Sequence, residues 1–354
     1  MISKIFREDI EQVLHDENIP WEKMTGTATL ITGATGLIGS ALVRVLAAAN
    51  ERYGLNMRVT GHGRNAAKGE ALCRECGIEF IARDIRRPIP AETLSPIVDY
   101  IFHGAAVTHS ADMVSKPVDV ISTAYEGTLN ALKLAVERRC RSFVYLSSME
   151  VYGQTGTAEV KEQDLGYIDL ASPRSSYSES KRLCENLCAA FYTQYFVPVK
   201  VARPAQTFGA GTPRDDTRVF AQFARSAING QNLILRTKGT SKGNYCDIAD
   251  TVRALLTILL KGEAGEAYNI SNPRTSMTIR DMANLVANDV CGEKIKVETQ
   301  IPGSKEQFGY APDTGFTLNS DKLMSLGWKP RRNLSEVYRH LIADWQENKA
   351  ETIL

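Results

Sequence analysis

The segment that most restricts how this chain can fold is Thr32-Gly33-Ala34-Thr35-Gly36-Leu37-Ile38-Gly39, set between a short apolar run, Thr27 to Ile31, and a helical stretch, Ser40 to Ala49. An apolar, partly β-branched run of that length reads as a buried strand. Glycines at 33, 36 and 39 let the backbone turn tightly, approach a pyrophosphate and pack the helix on the strand, while the helix N-terminus faces the phosphates. The unit therefore predicts a Rossmann-type doubly wound parallel α/β sheet whose glycine turn, Thr35, Leu37 and Ile38 included, holds a nicotinamide dinucleotide.

In open α/β sheets ligands bind outside the carboxyl ends of the strands, so the residues that follow each strand are the candidates for chemistry. Strand two, Met57 to Thr60, runs into Gly61-His62-Gly63-Arg64-Asn65. No carboxylate stands there to accept from ribose hydroxyls, and Arg64 can pair with a 2′-phosphate, which leans from NAD toward NADP. Strand three, Ile78 to Ala82, ends at Asp84, which can accept from the adenine amino group. Strand four, Tyr100 to Phe102, opens into His103-Gly104-Ala105-Ala106, small enough for backbone to pass beneath the cofactor, and then into Thr108 and His109 on the substrate side. Strand five, Phe143 to Leu146, delivers Ser148 and Glu150 to the same edge.

Tyr177 and Lys181 lie four apart in a helical run and share a face. A phenol titrates near ~10, and a neighbouring ammonium favours its ionised form, so Lys181 is expected to make Tyr177 a better base. With Ser148 holding the same substrate oxygen and Glu150 handling a second proton, the pattern is that of hydride transfer with a spare carboxylate.

The net charge of +1 over 354 residues gives no basis for a nucleic-acid or anionic-membrane partner. Seven cysteines, odd in number and without paired spacing, point to a reducing cytoplasmic setting. Cys73-Arg74-Glu75-Cys76 has no second pair to complete a metal site, and no signal peptide or membrane-length apolar run is present. Residues 1–26 read as a helical extension, with Ile2, Ile5, Phe6, Ile10, Val13 and Leu14 at helical spacing, packed on the body. Residues 27–209 form the NAD(P)-binding domain. Residues 210–354 form a smaller α/β substrate lobe, with helices at 219–229, 248–261, 278–289 and 334–348, whose chain returns to the sheet.

Taken in order, the glycine turn, Asp84, His103-Gly104-Ala105-Ala106, Ser147-Ser148-Met149-Glu150-Val151-Tyr152-Gly153, Tyr177-Ser178-Glu179-Ser180-Lys181, Arg203-Pro204 and Leu326-Gly327-Trp328-Lys329-Pro330 resemble the extended short-chain dehydrogenase/reductases, and within them the nucleotide-sugar epimerase/dehydratase group. The resemblance covers nearly all of the chain after residue 26. It implies a recycled NAD(P) that takes hydride from the sugar C4 while Tyr177, helped by Ser148, takes the hydroxyl proton and Lys181 holds the nicotinamide ribose. It further implies cofactor contacts from Ile85, His103, Ala105, Ala106, Arg203 and Ala205, substrate contacts from Thr108, His109, Met149, Gln206, Arg218 and Arg236, and a homodimer through a four-helix contact. For that contact Val120, Leu129, Leu132, Leu183, Leu187 and Phe191 are the apolar candidates.

Within the family Glu150 discriminates: dehydratases resemble Thr-Asp-Glu or Thr-Ser-Glu here and UDP-glucuronate decarboxylases Thr-Ser-Glu, whereas 4-epimerases usually carry small or apolar residues. Ser-Met-Glu ranks a 4,6-dehydratase or decarboxylase first, a C4 epimerase second and an NADPH-dependent carbonyl reductase third. Two family arginines that bind the substrate diphosphate are replaced, one by Gly243 and one around Tyr310-Ala311-Pro312-Asp313; Lys242, Arg214, Arg218, Arg236 and Arg274 are the candidate substitutes.

Overall fold

A computed structural model describes residues 2–301 and 315–351. Seven parallel strands make the central sheet: β1 (Ala28–Thr32), β2 (Arg58–Gly63), β3 (Glu79–Ala82), β4 (Tyr100–His103), β5 (Ser142–Leu146), β6 (Val199–Pro204) and β7 (Ala267–Ile270). Their spatial order is β7-β6-β5-β4-β1-β2-β3. The chain reverses its winding between β1 and β4, so a crevice opens at their carboxyl ends, where Thr32 pairs in register with His62 on one side and His103 on the other. β7 comes from the C-terminal part of the chain and pairs with β6, Ala267 to Val201 through Ile270 to Pro204.

Both faces of the sheet are covered, as a parallel sheet requires. On one face lie α1 (Lys4–Leu14), α2 (Leu37–Tyr53) and α8 (Ile248–Lys261), around a core that includes Trp21, Leu42, Leu46, Phe102, Leu255 and Trp328. On the other lie α5 (Pro117–Glu137) and α6 (Ser175–Tyr195), over Leu30, Ile101, Leu132, Phe143 and Phe191. α3 (Ala66–Cys76) follows β2, and the short α4 (Ser110–Ser115) leads into α5. The second lobe gathers α7 (Val219–Asn229), α9 (Ile279–Leu285) with its π-helical continuation Val286–Val290, and the C-terminal helix Leu334–Glu351. Its core is aromatic: Phe208 stacks on Phe220 at 4.3 Å and meets Tyr338 edge-on at 5.2 Å. No helix among the described residues is long and apolar enough to cross a membrane.

α1 is capped by Ser3, whose hydroxyl accepts from the Phe6 amide at 3.0 Å. It buries Phe6, Ile10, Val13 and Leu14, and it also buries charge. Arg332 bridges Asp9 on α1 (2.5 Å) and Asp247 at the start of α8 (3.0 Å). Arg253 on α8 likewise bridges Asp250 (2.6 Å) and Asp16, just beyond α1. Burial pushes the Asp247 carboxyl up, Arg332 opposes, and the Asp250 and Asp9 carboxylates add to the rise. Removing one member of such a buried pair leaves the other uncompensated, at a cost of about 3–5 kcal/mol.

Candidate active site

The glycine turn suits a dinucleotide. Gly33 has a φ of +74°, and a Cβ there would fall 2.8 Å from the Gly104 carbonyl carbon, so the turn and the segment after β4 meet backbone to backbone. A Cβ on Gly39 would lie 2.2 Å from the Gly33 carbonyl oxygen, which fixes how tightly α2 seats on β1. Exposed Gly36 caps α2 without a side chain, leaving the first amides of the helix, at Leu37, Ile38 and Gly39, for an anion. Thr35 sits half-buried beside Gly63.

Around this cradle the side chains divide. Arg64 is exposed at the end of β2 and makes no hydrogen bond or ion pair among the described residues. Asp84 accepts from the Arg86 amide at 2.9 Å and from its guanidinium at 2.7 Å, and the Arg86 hydrogen bonds hold its carboxyl below the usual range. Ile85 is buried against Gly127 of α5, and half-buried Ala105 and Ala106 line the segment after β4, the Ala105 amide donating to Thr32 Oγ1 at 3.3 Å.

Two expected cofactor ligands are structural instead. His103 is turned inward, its ring nitrogens bonded to Thr32 Oγ1 (2.8 Å) and Thr128 Oγ1 (3.1 Å), and burial pushes it down to about 3. Only its backbone is left for the crevice. Arg203 forms a fork with Glu185 (2.9 and 2.6 Å) and donates to the Tyr152 hydroxyl (2.9 Å) and the Glu162 carbonyl (2.6 Å). Those bonds tie β6 to α6 and consume the guanidinium. Met149 and Ala205 turn into a small apolar cluster with Tyr152, Val160 and Phe316.

His62 is buried, with both ring nitrogens lacking a hydrogen-bond partner among the described residues. Burial pushes it down from 6.5 to about 4. Between those values the unfolded chain takes up a proton that the native state refuses, so this residue makes stability fall as the pH drops below about 6.5. His62→Leu removes two unsatisfied polar atoms and that proton uptake. It is expected to raise stability by about 1–3 kcal/mol and to flatten the acid decline of the urea midpoint; an unchanged slope would refute the assignment. Cys76 on α3 is pushed up to about 11 by burial and is therefore a protonated thiol at neutral pH.

The chemical centre stands where β5 meets α6. Beyond β5 a single 3₁₀ turn, Met149–Tyr152, carries Glu150, and the Ser148 hydroxyl accepts the Glu150 amide at 3.2 Å. Tyr177 on α6 is buried, and Ser148 faces its phenol and favours the ionised form. Lys181, one turn on, donates to the Leu146 carbonyl at 2.6 Å and lies 4.9 Å from the Tyr145 ring and 5.8 Å from the Tyr177 ring. The expected lowering of the phenol is absent. Burial and the Glu150 carboxylate push Tyr177 up to about 12, against Ser148 and the charges of Arg174 and Arg218. Lys181 itself is pushed down to about 8 because it is buried.

Sequence reasoning passed over Arg174 and Ser178. Arg174, immediately before α6, sets its two terminal nitrogens 3.0 Å from the two oxygens of Glu150, and Ser178 donates to the same carboxylate at 3.2 Å. The signal was present: an arginine three residues before the tyrosine and a serine just after it, on the helix that faces the turn.

The expected substrate residues are more scattered. Arg218 is ion-paired with Asp216 at 2.6 Å yet close enough to bear on the Tyr177 hydroxyl. Gln206 is half-buried on a short strand paired with Tyr245–Asp247. Thr108 and His109 are exposed at the entry to α4, and Arg214, Arg236 and Arg274 are exposed. Lys242 donates to Thr317 at 2.7 Å. Gly243 has no room for a side chain, since a Cβ would fall 2.2 Å from the Tyr245 hydroxyl. The Tyr310–Asp313 segment lies outside the described residues.

Comparison with known proteins agrees with this layout. The family model described as "NAD dependent epimerase/dehydratase family" matches residues 29–271. UDP-glucuronic acid decarboxylase 6 of Arabidopsis thaliana is 31% identical over 310 residues, covering 87% of this chain and 85% of that protein. UDP-glucuronic acid decarboxylase 1 of Danio rerio is 29% identical over 308 residues, covering 87% and 70%. Among solved structures, Epimerase Mth375 from Methanothermobacter thermautotrophicus superimposes with a TM-score of 0.79 at 25% identity, over 94% of this chain and 95% of that one. The DesIV dTDP-glucose 4,6-dehydratase of Streptomyces venezuelae, solved with NAD bound, gives 0.76 at 22% over 92% and 98%, a likeness of fold. With a match that spans more than half its length, laid over the glycine turn and the Ser148, Tyr177 and Lys181 cluster, this chain is an enzyme of the NAD-dependent epimerase/dehydratase family.

Proposed function

We propose that the enzyme oxidises C4 of a nucleotide-activated hexuronate, removes the C5 carboxylate as carbon dioxide and reduces the ketone again. The nicotinamide, when bound, accepts the C4 hydride and later returns it. Tyr177 takes the proton of the C4 hydroxyl and Ser148 holds its oxygen. A C4 ketone makes the C5 carboxylate that of a β-keto acid: the bond from C5 to the carboxyl carbon breaks, its electrons move to the C4 oxygen, and C5 then gains a proton. The Glu150 carboxylate, held by Arg174 and Ser178, disfavours a second carboxylate beside it relative to neutral carbon dioxide.

The observation that carries this choice is Met149. A 4,6-elimination has to protonate a departing hydroxyl, and the residue beside Glu150 is a buried thioether that holds no proton to give. Carbon dioxide leaves without one. The test is to incubate the protein with UDP-glucuronate and weigh the product: loss of carbon dioxide supports the reading, loss of water identifies a dehydratase, and an unchanged mass with inverted C4 identifies an epimerase.

Two finer readings accompany it. The cofactor is NADP, supported by Gly63 and Arg64 standing where a ribose-binding carboxylate would stand. Arg64→Asp should weaken NADP by about 10- to 100-fold and leave NAD nearly unchanged, measured by calorimetry; equal losses for both would refute it. The seven unpaired thiols support a reducing, cytoplasmic setting. The enzyme acts as a homodimer, but not through all of the residues first named: Val120, Leu132 and Phe191 are buried within the subunit. The outer face of α5 and α6 instead offers Val118 (73% exposed), Ile121, Tyr125 and Leu183. Val118→Asp should yield a monomer by light scattering.

A further inference from the structure

The Glu150 carboxylate is not a loose side chain waiting for substrate. Both oxygens face the fork of Arg174, with a 3.0 Å contact to each, and Oε2 also accepts from Ser178 at 3.2 Å. The Arg174 side chain is 11% exposed and that of Glu150 29%, so the pair is partly shielded from solvent and its bidentate geometry is worth more than at the open surface. The two anchors flank Tyr177 on its own helix: Arg174 stands three residues before it and Ser178 directly after. Helix, phenol and carboxylate are thus fixed to one another as a unit.

We propose that Arg174 is a positioning residue: it aims the Glu150 carboxylate across the substrate pocket and neutralises it toward Tyr177, so that one carboxylate serves the C5 step without obstructing proton removal at C4. This rests on the C5 reading above. The charged and titratable groups facing the phenol are Glu150 on the turn after β5, Tyr145 on β5, Arg174 just before α6, Lys181 on α6, and Arg218 before α7. Of these Glu150 opposes ionisation, and Arg174 is the group in direct contact with it. Without the guanidinium the carboxylate swings free and its full charge bears on the phenol.

The test compares the parent with Arg174→Gln, Arg174→Lys and the double variant Glu150→Gln/Arg174→Gln, with UDP-glucuronate as probe. Arg174→Gln should lower carbon dioxide release by about 10²-fold with KM little changed, and should move the pH dependence of nicotinamide reduction about one unit upward. Arg174→Lys should restore part of both. In the Glu150→Gln background the arginine change should add nothing to the loss of carbon dioxide release, because for that step the two act as one unit. Parental kinetics in Arg174→Gln, or multiplicative losses in the double variant, would overturn the proposal. A parent that neither releases carbon dioxide nor reduces nicotinamide with this probe refutes the substrate reading alone. The positioning role is then decided by ultraviolet titration of Tyr177, taken as the difference between each protein and its Tyr177→Phe counterpart. An upward displacement in Arg174→Gln that is larger than the one the same change causes in the Glu150→Gln background supports it, and equal displacements refute it.

Discussion

Replacing Tyr177 with phenylalanine is expected to abolish nicotinamide reduction, by about 10³-fold or more, while leaving the unfolding temperature close to that of the parent. The side chain is buried and its ring packs with Met113 and Val120, contacts that phenylalanine keeps. What disappears is the acceptor for the C4 hydroxyl proton. Because burial and Glu150 push this phenol up to about 12, its ionised fraction rises with pH, and nicotinamide reduction in the parent should climb toward alkaline pH. Substantial reduction by Tyr177→Phe in a stopped-flow trace would mean that another group takes the proton.

The second large effect is expected from Glu150→Gln, and it falls on a different step. Glutamine keeps the shape and still accepts from Arg174, so C4 oxidation should proceed and a 4-keto sugar should accumulate, while loss of the C5 carboxylate slows by about 10²-fold or more. The amide also removes the charge that holds Tyr177 protonated. The pH dependence of C4 oxidation should therefore shift to lower pH in this variant, the direction opposite to Arg174→Gln. Full product formation by Glu150→Gln would leave the carboxylate without a chemical role and favour an epimerase. Mass spectrometry of quenched reactions separates these outcomes.

The fold was legible because its signals are local and repeated. Each parallel strand is a short apolar run, and the helix periods between them leave one topology once the crossovers are right-handed. Ser148, Glu150, Tyr177 and Lys181 were legible for the same reason: strand ends and helix faces bring them to one edge. The readings that failed depended on partners far away in sequence or on burial. Arg203 follows a strand like a ligand, yet Glu185 and Tyr152 take its donors from 18 and 51 residues away. His103 occupies a cofactor position in sequence, but a strand residue points to one face or the other, and the inward one met two threonines. Lys181 was placed correctly one turn from the tyrosine; desolvation, which depends on everything packed around the pair, and the Glu150 carboxylate set the direction of the phenol instead. The apolar residues assigned to a subunit contact divided by helix face: Val120, Leu132 and Phe191 point inward and are core, and Leu183 points out.

The bridge made by Arg332 joins residues 323 positions apart. α1 is therefore synthesised long before its buried aspartate meets its counter-charge, and for all of that time Phe6, Ile10, Val13 and Leu14 lie on a nascent chain with no finished surface to cover them. The sheet and its crevice can form behind it, but the clasp across α1, α8 and the tail closes only afterward. A protein trimmed to begin at β1 would leave Arg332 with Asp247 alone and Arg253 with Asp250 alone, each having lost one of its two carboxylates along with the apolar face of α1.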